Sequence, residues 1–149
     1  MQCSGSCKAR GGSVFAYFYR VIKVIVMNKI IVDLDGTLTE EDTNDYTKVK
    51  PKLKVVKKLY EFKKMGFSIV IMTARNMRTF DGNIGKINIH TLPVIIDWLN
   101  ENNIPYDEVI VGKPWCGNKG FYVDDRALRP SEFARLNLQE INELFDKDK

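Results

Sequence analysis

The segment Lys29-Ile-Ile-Val-Asp-Leu-Asp-Gly-Thr37 places two carboxylates and a hydroxyl directly after a short apolar run. The run Ile30–Asp33 has the length and composition of a buried β-strand. Asp33 and Asp35 therefore emerge where that strand ends, at the edge where open α/β sheets bind their ligands. Two unpaired acids at one point repel each other, and a divalent cation such as Mg²⁺, which prefers oxygen ligands, relieves that repulsion. The segment predicts a binding edge rather than a purely structural turn.

Beyond this segment, short apolar runs alternate with amphipathic stretches, which is typical of a parallel sheet connected by helices. Further strands are predicted at Phe67–Met72, Glu108–Val111 and Phe121–Val123. Helices are predicted at Pro51–Met65, from Thr91 and Pro93 onward, and after the capping box Asn137-Leu-Gln-Glu140. We therefore expect an α/β fold, a Rossmann-like parallel sheet with helices on both faces.

Each later strand is also followed by a residue that can bind a phosphoryl group or a metal. Thr73 ends the second strand, Lys113 follows the third, and Asp124 and Asp125 end the fourth. The carboxyl ends of parallel strands share one edge of a sheet, the edge at which open α/β sheets bind their ligands. Two alternatives stay open: Thr73 can cap a helix, which is compatible with phosphate binding, and Asp125 can pair with Lys113 instead of binding metal.

These four motifs, in this order, resemble the haloacid dehalogenase (HAD) superfamily of phosphatases with an aspartate nucleophile. The resemblance implies that Asp33 attacks phosphorus and forms an aspartyl-phosphate. It also implies that Asp35 protonates the leaving oxygen and then deprotonates the attacking water. Thr73 would donate a hydrogen bond to a phosphoryl oxygen, and Lys113 would neutralise charge on the phosphoryl group and the nucleophile.

The same resemblance implies a Mg²⁺ cofactor. Its ligands would be Asp33, the backbone carbonyl of Asp35, and Asp124, with Asp125 at or near the metal. The second acid of the first motif, Asp35, favours phosphoryl transfer, because the dehalogenases of the superfamily lack it.

The gaps between the motifs are too short for a separate cap domain of ordinary size. A capless phosphatase has an open site unless loops or another subunit of a homo-oligomer cover it. Three loops at the catalytic edge are therefore expected to determine specificity: Leu38–Lys50, Asn76–His90 and Pro114–Gly120.

The substrate-binding candidates comprise the phosphoryl ligands already named and four further residues of these segments, namely Thr37, Arg75, Arg78 and Trp115. The two arginines can clamp an anionic substrate or pair with acids of the first loop. Trp115 can stack on a sugar ring or pack inward.

Within the superfamily, the chain most resembles the small capsule biosynthesis phosphatases of bacterial polysaccharide operons. The stretches that carry this likeness are Thr73–Arg78, Gly112–Gly117, Gly120–Arg126 and Arg129–Phe133. The resemblance covers nearly all of Met27–Phe145, and it implies a phosphorylated sugar or polyol substrate. A polynucleotide 3′-phosphatase is the alternative, since the stretch Asp124-Asp-Arg126 is similar to those enzymes as well.

Length, charge and cysteine content limit the classes of protein to which this chain can belong. The 149 residues suffice for one domain. The 23 basic residues exceed the 19 acidic ones only because of residues 1–26, so the rest of the chain has no net charge. A chain without a surplus of cations is not typical of nucleic-acid-binding proteins. Residues 1–26 are expected to be a disordered or spurious extension, and residues 27–149 one phosphatase domain. Three cysteines, an odd number, fit a reducing, cytoplasmic location, and no apolar run is long enough for a membrane span.

Overall fold

The structure, a computed structural model, describes residues 28–40 and 45–147. The predicted N-terminal extension lies outside these residues. The elements in chain order are β1 (Lys29–Val32), α1 (Leu53–Lys64), β2 (Ser68–Thr73), α2 (Ile84–His90), α3 (Leu92–Glu101), β3 (Glu108–Val111), α4 (Pro130–Arg135) and α5 (Leu138–Asp146). No helix within the described ranges has the length and apolar character that crossing a bilayer requires.

The three strands form one open parallel sheet in the order β1-β2-β3. Ile31 of β1 lies opposite Val70 of β2, and Val70 lies opposite Glu108 of β3. β2 is central, and almost all of its side chains are buried, as expected of a strand paired on both sides. The prediction of a parallel α/β sheet flanked by helices is confirmed. All three carboxyl ends lie at one edge.

One face of the sheet packs against the main core. Val32, Ile69 and Ile71 pack in a single core with Leu59 of α1 and Trp98 of α3. The Trp98 indole also donates a hydrogen bond of 2.8 Å to the Val49 carbonyl, which ties the loop after β1 to this core.

The opposite face is only partly covered. Ile31 and Ile110, whose strand positions place them on that face, are 64% and 40% exposed. Helices therefore pack on one face and leave part of the other in solvent, which is less than the two covered faces that the sequence predicts.

The predicted strand Phe121–Val123 is wrong. The described residues between Val111 and Pro130 include no strand, and Phe121 and Val123 are 79% and 87% exposed. The Tyr122 ring instead lies over the Lys113 ammonium, 4.3 Å from nitrogen to ring centroid, and its hydroxyl donates to the Pro114 carbonyl. These contacts hold the segment against the loop after β3, and no described strand pairs with the outer edge of β1.

Two other parts of the chain differ from prediction: the start of the first helix and the loop Asn76–His90. The first helix begins at Leu53 because Pro51 forms an antiparallel bridge with Thr39 and stays extended. The predicted loop Asn76–His90 contains α2, which begins where the Asn83 side chain accepts a hydrogen bond from the Lys86 backbone N–H.

The last helix agrees with prediction. The Asn137 side chain accepts from the Glu140 backbone N–H at 3.0 Å, and the Glu140 carboxylate accepts from the Asn137 N–H at 2.7 Å. This is the capping box that the sequence predicts.

Asp107 fixes the start of β2 against the turn before β3. Its carboxylate pairs with Lys63 and accepts from the Ile69 backbone N–H at 2.7 Å and the Ser68 hydroxyl at 3.3 Å. The Lys63 contact, followed by the Ile69 N–H, lowers the pKa of Asp107 below its ordinary value.

We expect Asp107→Ala to reduce the free energy of unfolding by about 1–2 kcal/mol, because a hydrogen-bonded charge at a partly exposed site is lost. The pKa of Asp107 is lowered in the folded chain, so its contribution is present above its unfolded pKa, about 3.9, and is lost as pH falls through the lowered value. Denaturant titrations of both chains at neutral and acid pH measure this difference. Asp97→Ala, an exposed acid on α3, is the matched control, and an equal loss in the control would contradict the prediction.

Candidate functional site

The site begins with the turn after β1. Leu34 is fully buried, so the alternation of side chains along the chain turns Asp33 and Asp35 away from the core. Gly36, with a φ of 73°, reverses the chain in a conformation that favours glycine. The Lys52 ammonium donates to the Gly36 carbonyl at 2.5 Å and holds this turn against the start of α1.

Lys113 joins the ends of β1 and β3. Its ammonium lies 2.9 Å from Asp33 Oδ1, and both side chains are largely buried, at 20% and 28% exposure. Its backbone N–H donates to the Thr73 carbonyl at 3.1 Å, so the third strand end is fixed beside the second. Gly112 precedes it with a φ of 89°, a conformation that favours glycine, and a Cβ there would lie 2.7 Å from Ile84 Cδ1 of α2.

Thr73 is buried at 1% exposure at the end of the central strand. Its Oγ1 accepts a hydrogen bond of 3.0 Å from the Arg75 backbone N–H. No helix follows it directly, so the hydroxyl caps a turn rather than a helix. The hydroxyl proton remains available for donation to an anion.

Arg75 is almost fully buried and forms an ion pair with Asp35. Its Nε lies 3.2 Å from both carboxylate oxygens of Asp35, and its Nη2 lies 2.5 Å from Oδ1. The Tyr46 ring covers the guanidinium at 4.2 Å, and Nη1 is buried with no hydrogen-bond partner among the residues described. Of the two roles open for Arg75, the structure favours pairing with an acid, and that acid belongs to the first motif itself.

A tight turn holds Tyr46 in place. The Asp45 carboxylate accepts from the Thr47 hydroxyl at 2.6 Å and from the Thr47 N–H at 3.0 Å, and it pairs with Lys48 at 3.0 Å. The Thr47 hydrogen bond, the Lys48 contact and the Thr47 N–H together lower the pKa of Asp45 to about 2. The turn therefore keeps these bonds over the physiological range.

The remaining substrate candidates lie around the open side of the site. Trp115 is 46% exposed and lies under the Arg78 guanidinium, 5.7 Å from carbon to ring centroid, so it does not pack inward. Thr37 is partly exposed and lines an open groove of about 930 Å³ with Asp35, Gly36, Lys52 and Arg129.

Sequence reasoning missed the roles of Tyr46 and Tyr122. Tyr122 was assigned to a strand, yet it covers the Lys113 ammonium. Partial burial, then the nearby Cys116 and Asp33, raises the pKa of Tyr122 above its ordinary value, so the phenol stays neutral at physiological pH. The only signal was the presence of an aromatic residue in a catalytic-edge loop.

The predicted metal ligands do not come together. Asp124 and Asp125 are exposed, and Asp124 Oδ1 accepts a hydrogen bond of 2.7 Å from the Arg126 N–H. Across residues 28–40 and 45–147, no group of three or more acidic, histidine or cysteine side chains is placed to hold a metal ion. Asp33 and Asp35 are oxygen donors of the kind Mg²⁺ prefers, but each is paired with a cation. The described side chains therefore do not form a complete Mg²⁺ site as they stand.

Comparison with known proteins gives a relative. A structural-genomics target from Vibrio cholerae, solved as a crystal structure, is 63% identical to this chain, covers 83% of it and is itself covered completely, with a TM-score of 0.82. The chain belongs to the family of this Vibrio cholerae protein. A structure of the Pnkp1/Rnl/Hen1 complex is 19% identical over 74% of this chain and 35% of that chain, with a TM-score of 0.44, a likeness too weak to bear on function. No protein-family model and no curated protein matches.

Membership in this family fixes the fold, because two chains 63% identical over this length share their backbone architecture. Family membership does not determine the reaction, since one fold supports many chemistries.

Proposed function

We propose that the protein is a phosphomonoester hydrolase of the HAD type that forms an aspartyl-phosphate on Asp33. The observation that carries the proposal is the contact of 2.9 Å between Lys113 and Asp33, across the ends of two parallel strands. The buried Thr73 hydroxyl stands at the end of the strand between them. A carboxylate, an ammonium and a hydroxyl at one sheet edge supply a nucleophile and two groups that bind phosphoryl oxygens.

The proposed reaction has two steps. A carboxylate oxygen of Asp33 attacks phosphorus, the bond from phosphorus to the leaving oxygen breaks, and Asp35 gives that oxygen a proton. Water then attacks the phosphorus, Asp35 takes up its proton, and inorganic phosphate leaves Asp33 free again. Lys113 neutralises charge in both steps, and Thr73 donates to a phosphoryl oxygen.

Arg75 holds Asp35 for this work. Its two contacting nitrogens fix the carboxylate orientation, while Asp35 itself is 42% exposed and faces the open groove. Asp35 is therefore accessible to a ligand from the open side of the site.

Mg²⁺ is part of the proposal as the cofactor, where it would supply positive charge to the phosphoryl group. We expect chelation of divalent cations to abolish phosphate release and Mg²⁺ to restore it, because Lys113 alone offsets only part of the phosphoryl charge. Phosphate release before and after EDTA treatment, with stepwise addition of Mg²⁺, measures this. Full activity after chelation would remove the metal from the proposal and leave the Asp33 assignment in place.

The proposed substrate is a phosphorylated sugar or polyol of capsular polysaccharide synthesis in the cytoplasm. The likeness of this chain to the capsule phosphatases supports this class. The experiment is a panel of sugar phosphates, polyol phosphates, nucleotides and a 3′-phosphorylated oligonucleotide, assayed with Mg²⁺ for phosphate release. Activity restricted to the oligonucleotide would replace this substrate class with the end-processing alternative, and no release from any compound would overturn the hydrolase proposal.

A further inference from the structure

Three cations at the candidate site each lie against an aromatic ring. The pairs and their distances to the ring centroid are Arg75 with Tyr46 at 4.2 Å, Arg78 with Trp115 at 5.7 Å and Lys113 with Tyr122 at 4.3 Å. The rings belong to the chain after β1 and to the chain after β3, and two of the cations follow β2. The contacts thus join the segments after all three strands, and two of the cations, Arg75 and Lys113, also pair with Asp35 and Asp33.

The three rings are about half exposed, with Tyr46 at 42%, Trp115 at 46% and Tyr122 at 52%. Exposed aromatic side chains cost free energy in water, and here they gather at one edge of the sheet. A cation lies against each ring, and about half of the surface of each of these residues is open to solvent and to another molecule. The cations hold the rings in place before any ligand arrives.

We propose that Tyr46, Trp115 and Tyr122, called here the aromatic rim, bind the leaving group of the substrate, and that this group is a sugar ring. This inference rests on the proposed hydrolase function and specifies its substrate. The rim takes the place of a cap, because a ring stacked on it closes the open side of the site.

The chemistry of the rim favours a saturated ring. A pyranose presents a face of C–H groups to an aromatic surface and hydroxyls around its edge. The exposed Arg78 beside Trp115 supplies donors for such hydroxyls. A linear polyol has no continuous apolar face, so it gains less from the rim.

A fluorescence titration tests the contact directly. The chain has two tryptophans, of which Trp98 is 1% exposed and Trp115 is at the rim. We expect a hexopyranose phosphate added to the inactive Asp33→Asn chain to change the tryptophan emission, and the same addition to the Asp33→Asn/Trp115→Phe chain to leave it unchanged. An equal change with inorganic phosphate or glycerol 2-phosphate would overturn the proposal.

A kinetic comparison tests the specificity. We expect Trp115→Ala to lower kcat/KM for a hexopyranose phosphate at least tenfold more than for glycerol 2-phosphate, mainly through KM, with recovery in Trp115→Tyr. The control is Tyr60→Ala, an aromatic on α1 whose hydroxyl donates to the Asn103 carbonyl, at the opposite end of the sheet. Equal losses on both substrates, or a preference of the parent chain for nucleoside monophosphates over hexose phosphates, would overturn the rim as a sugar platform.

These outcomes separate the two proposals. If the parent chain releases phosphate from no compound, including p-nitrophenyl phosphate, the hydrolase proposal fails and the rim proposal fails with it. If the chain hydrolyses phosphomonoesters but Trp115→Ala leaves the ratio between the two substrates unchanged, only the rim proposal fails.

Discussion

Asp33→Asn is expected to reduce phosphomonoester turnover on the order of a thousandfold or more while the chain stays folded. The amide keeps the shape of the carboxylate but lacks the anionic oxygen that attacks phosphorus, and loss of a nucleophile removes the whole covalent route. It also removes the charged partner of Lys113, 2.9 Å away. Steady-state phosphate release measures the loss, and thermal unfolding of both chains shows whether the fold is retained.

The matched control for this substitution is Asp97→Asn, which makes the same change of charge at an exposed position of α3. Its turnover should equal that of the parent. Mass spectrometry of rapidly quenched parent protein should also find one phosphoryl group on the peptide that contains Asp33. Retention of more than a few per cent of activity by Asp33→Asn would refute the nucleophile assignment.

Asp35→Asn is expected to lower turnover unevenly across substrates. An alkyl phosphate needs a proton on its leaving oxygen and should lose about 10²–10⁴-fold, the usual contribution of general acid catalysis. The leaving group of p-nitrophenyl phosphate, p-nitrophenolate, departs as a stable anion, so this substrate should lose much less in the step that releases it. Measurement of kcat/KM for both substrates with one protein preparation gives the ratio, because kcat/KM reports the steps up to release of the leaving group and excludes the water attack that both substrates share.

The ratio is the decisive quantity because Asp35→Asn also removes the charged partner of Arg75, whose side chain is only 1% exposed. Leaving a buried cation without its partner destabilises the fold, but a smaller folded fraction lowers both rates equally. Equal losses on the two substrates would therefore contradict the general-acid role, whatever the stability of the variant.

Local sequence signals predicted the parts of the fold that depend on local interactions. The bounds of the strand Glu108–Val111 and the cap at Asn137 agree with prediction, because an apolar run and a capping box act within a few residues. The motif order of the resemblance, with the rule that parallel strands end at a common edge, predicted the side chains of Lys113 and Asp33 at the same edge.

Longer-range contacts account for the failures. A strand at Phe121–Val123 needs pairing with a distant edge, and the contacts of Tyr122 with Lys113 and Pro114 hold the segment elsewhere. The two roles of Arg75 could not be separated by sequence, because its partner Asp35 lies 40 residues earlier in the chain. Periodicity carries no information on such pairings.

The bond between Lys113 and Asp33 joins residues that are 80 positions apart. Both strand pairs are parallel, so β1 can pair with β2 only after the connection that contains α1 has been made. Lys113 reaches Asp33 only after the second connection, which leads from β2 to β3. Such non-local contacts form late in folding, after the entropy of long loops has been lost. During synthesis on the ribosome, Asp33 is therefore made early and stays without its partner until most of the chain has followed, so a chain that stops before β3 should show no partial activity.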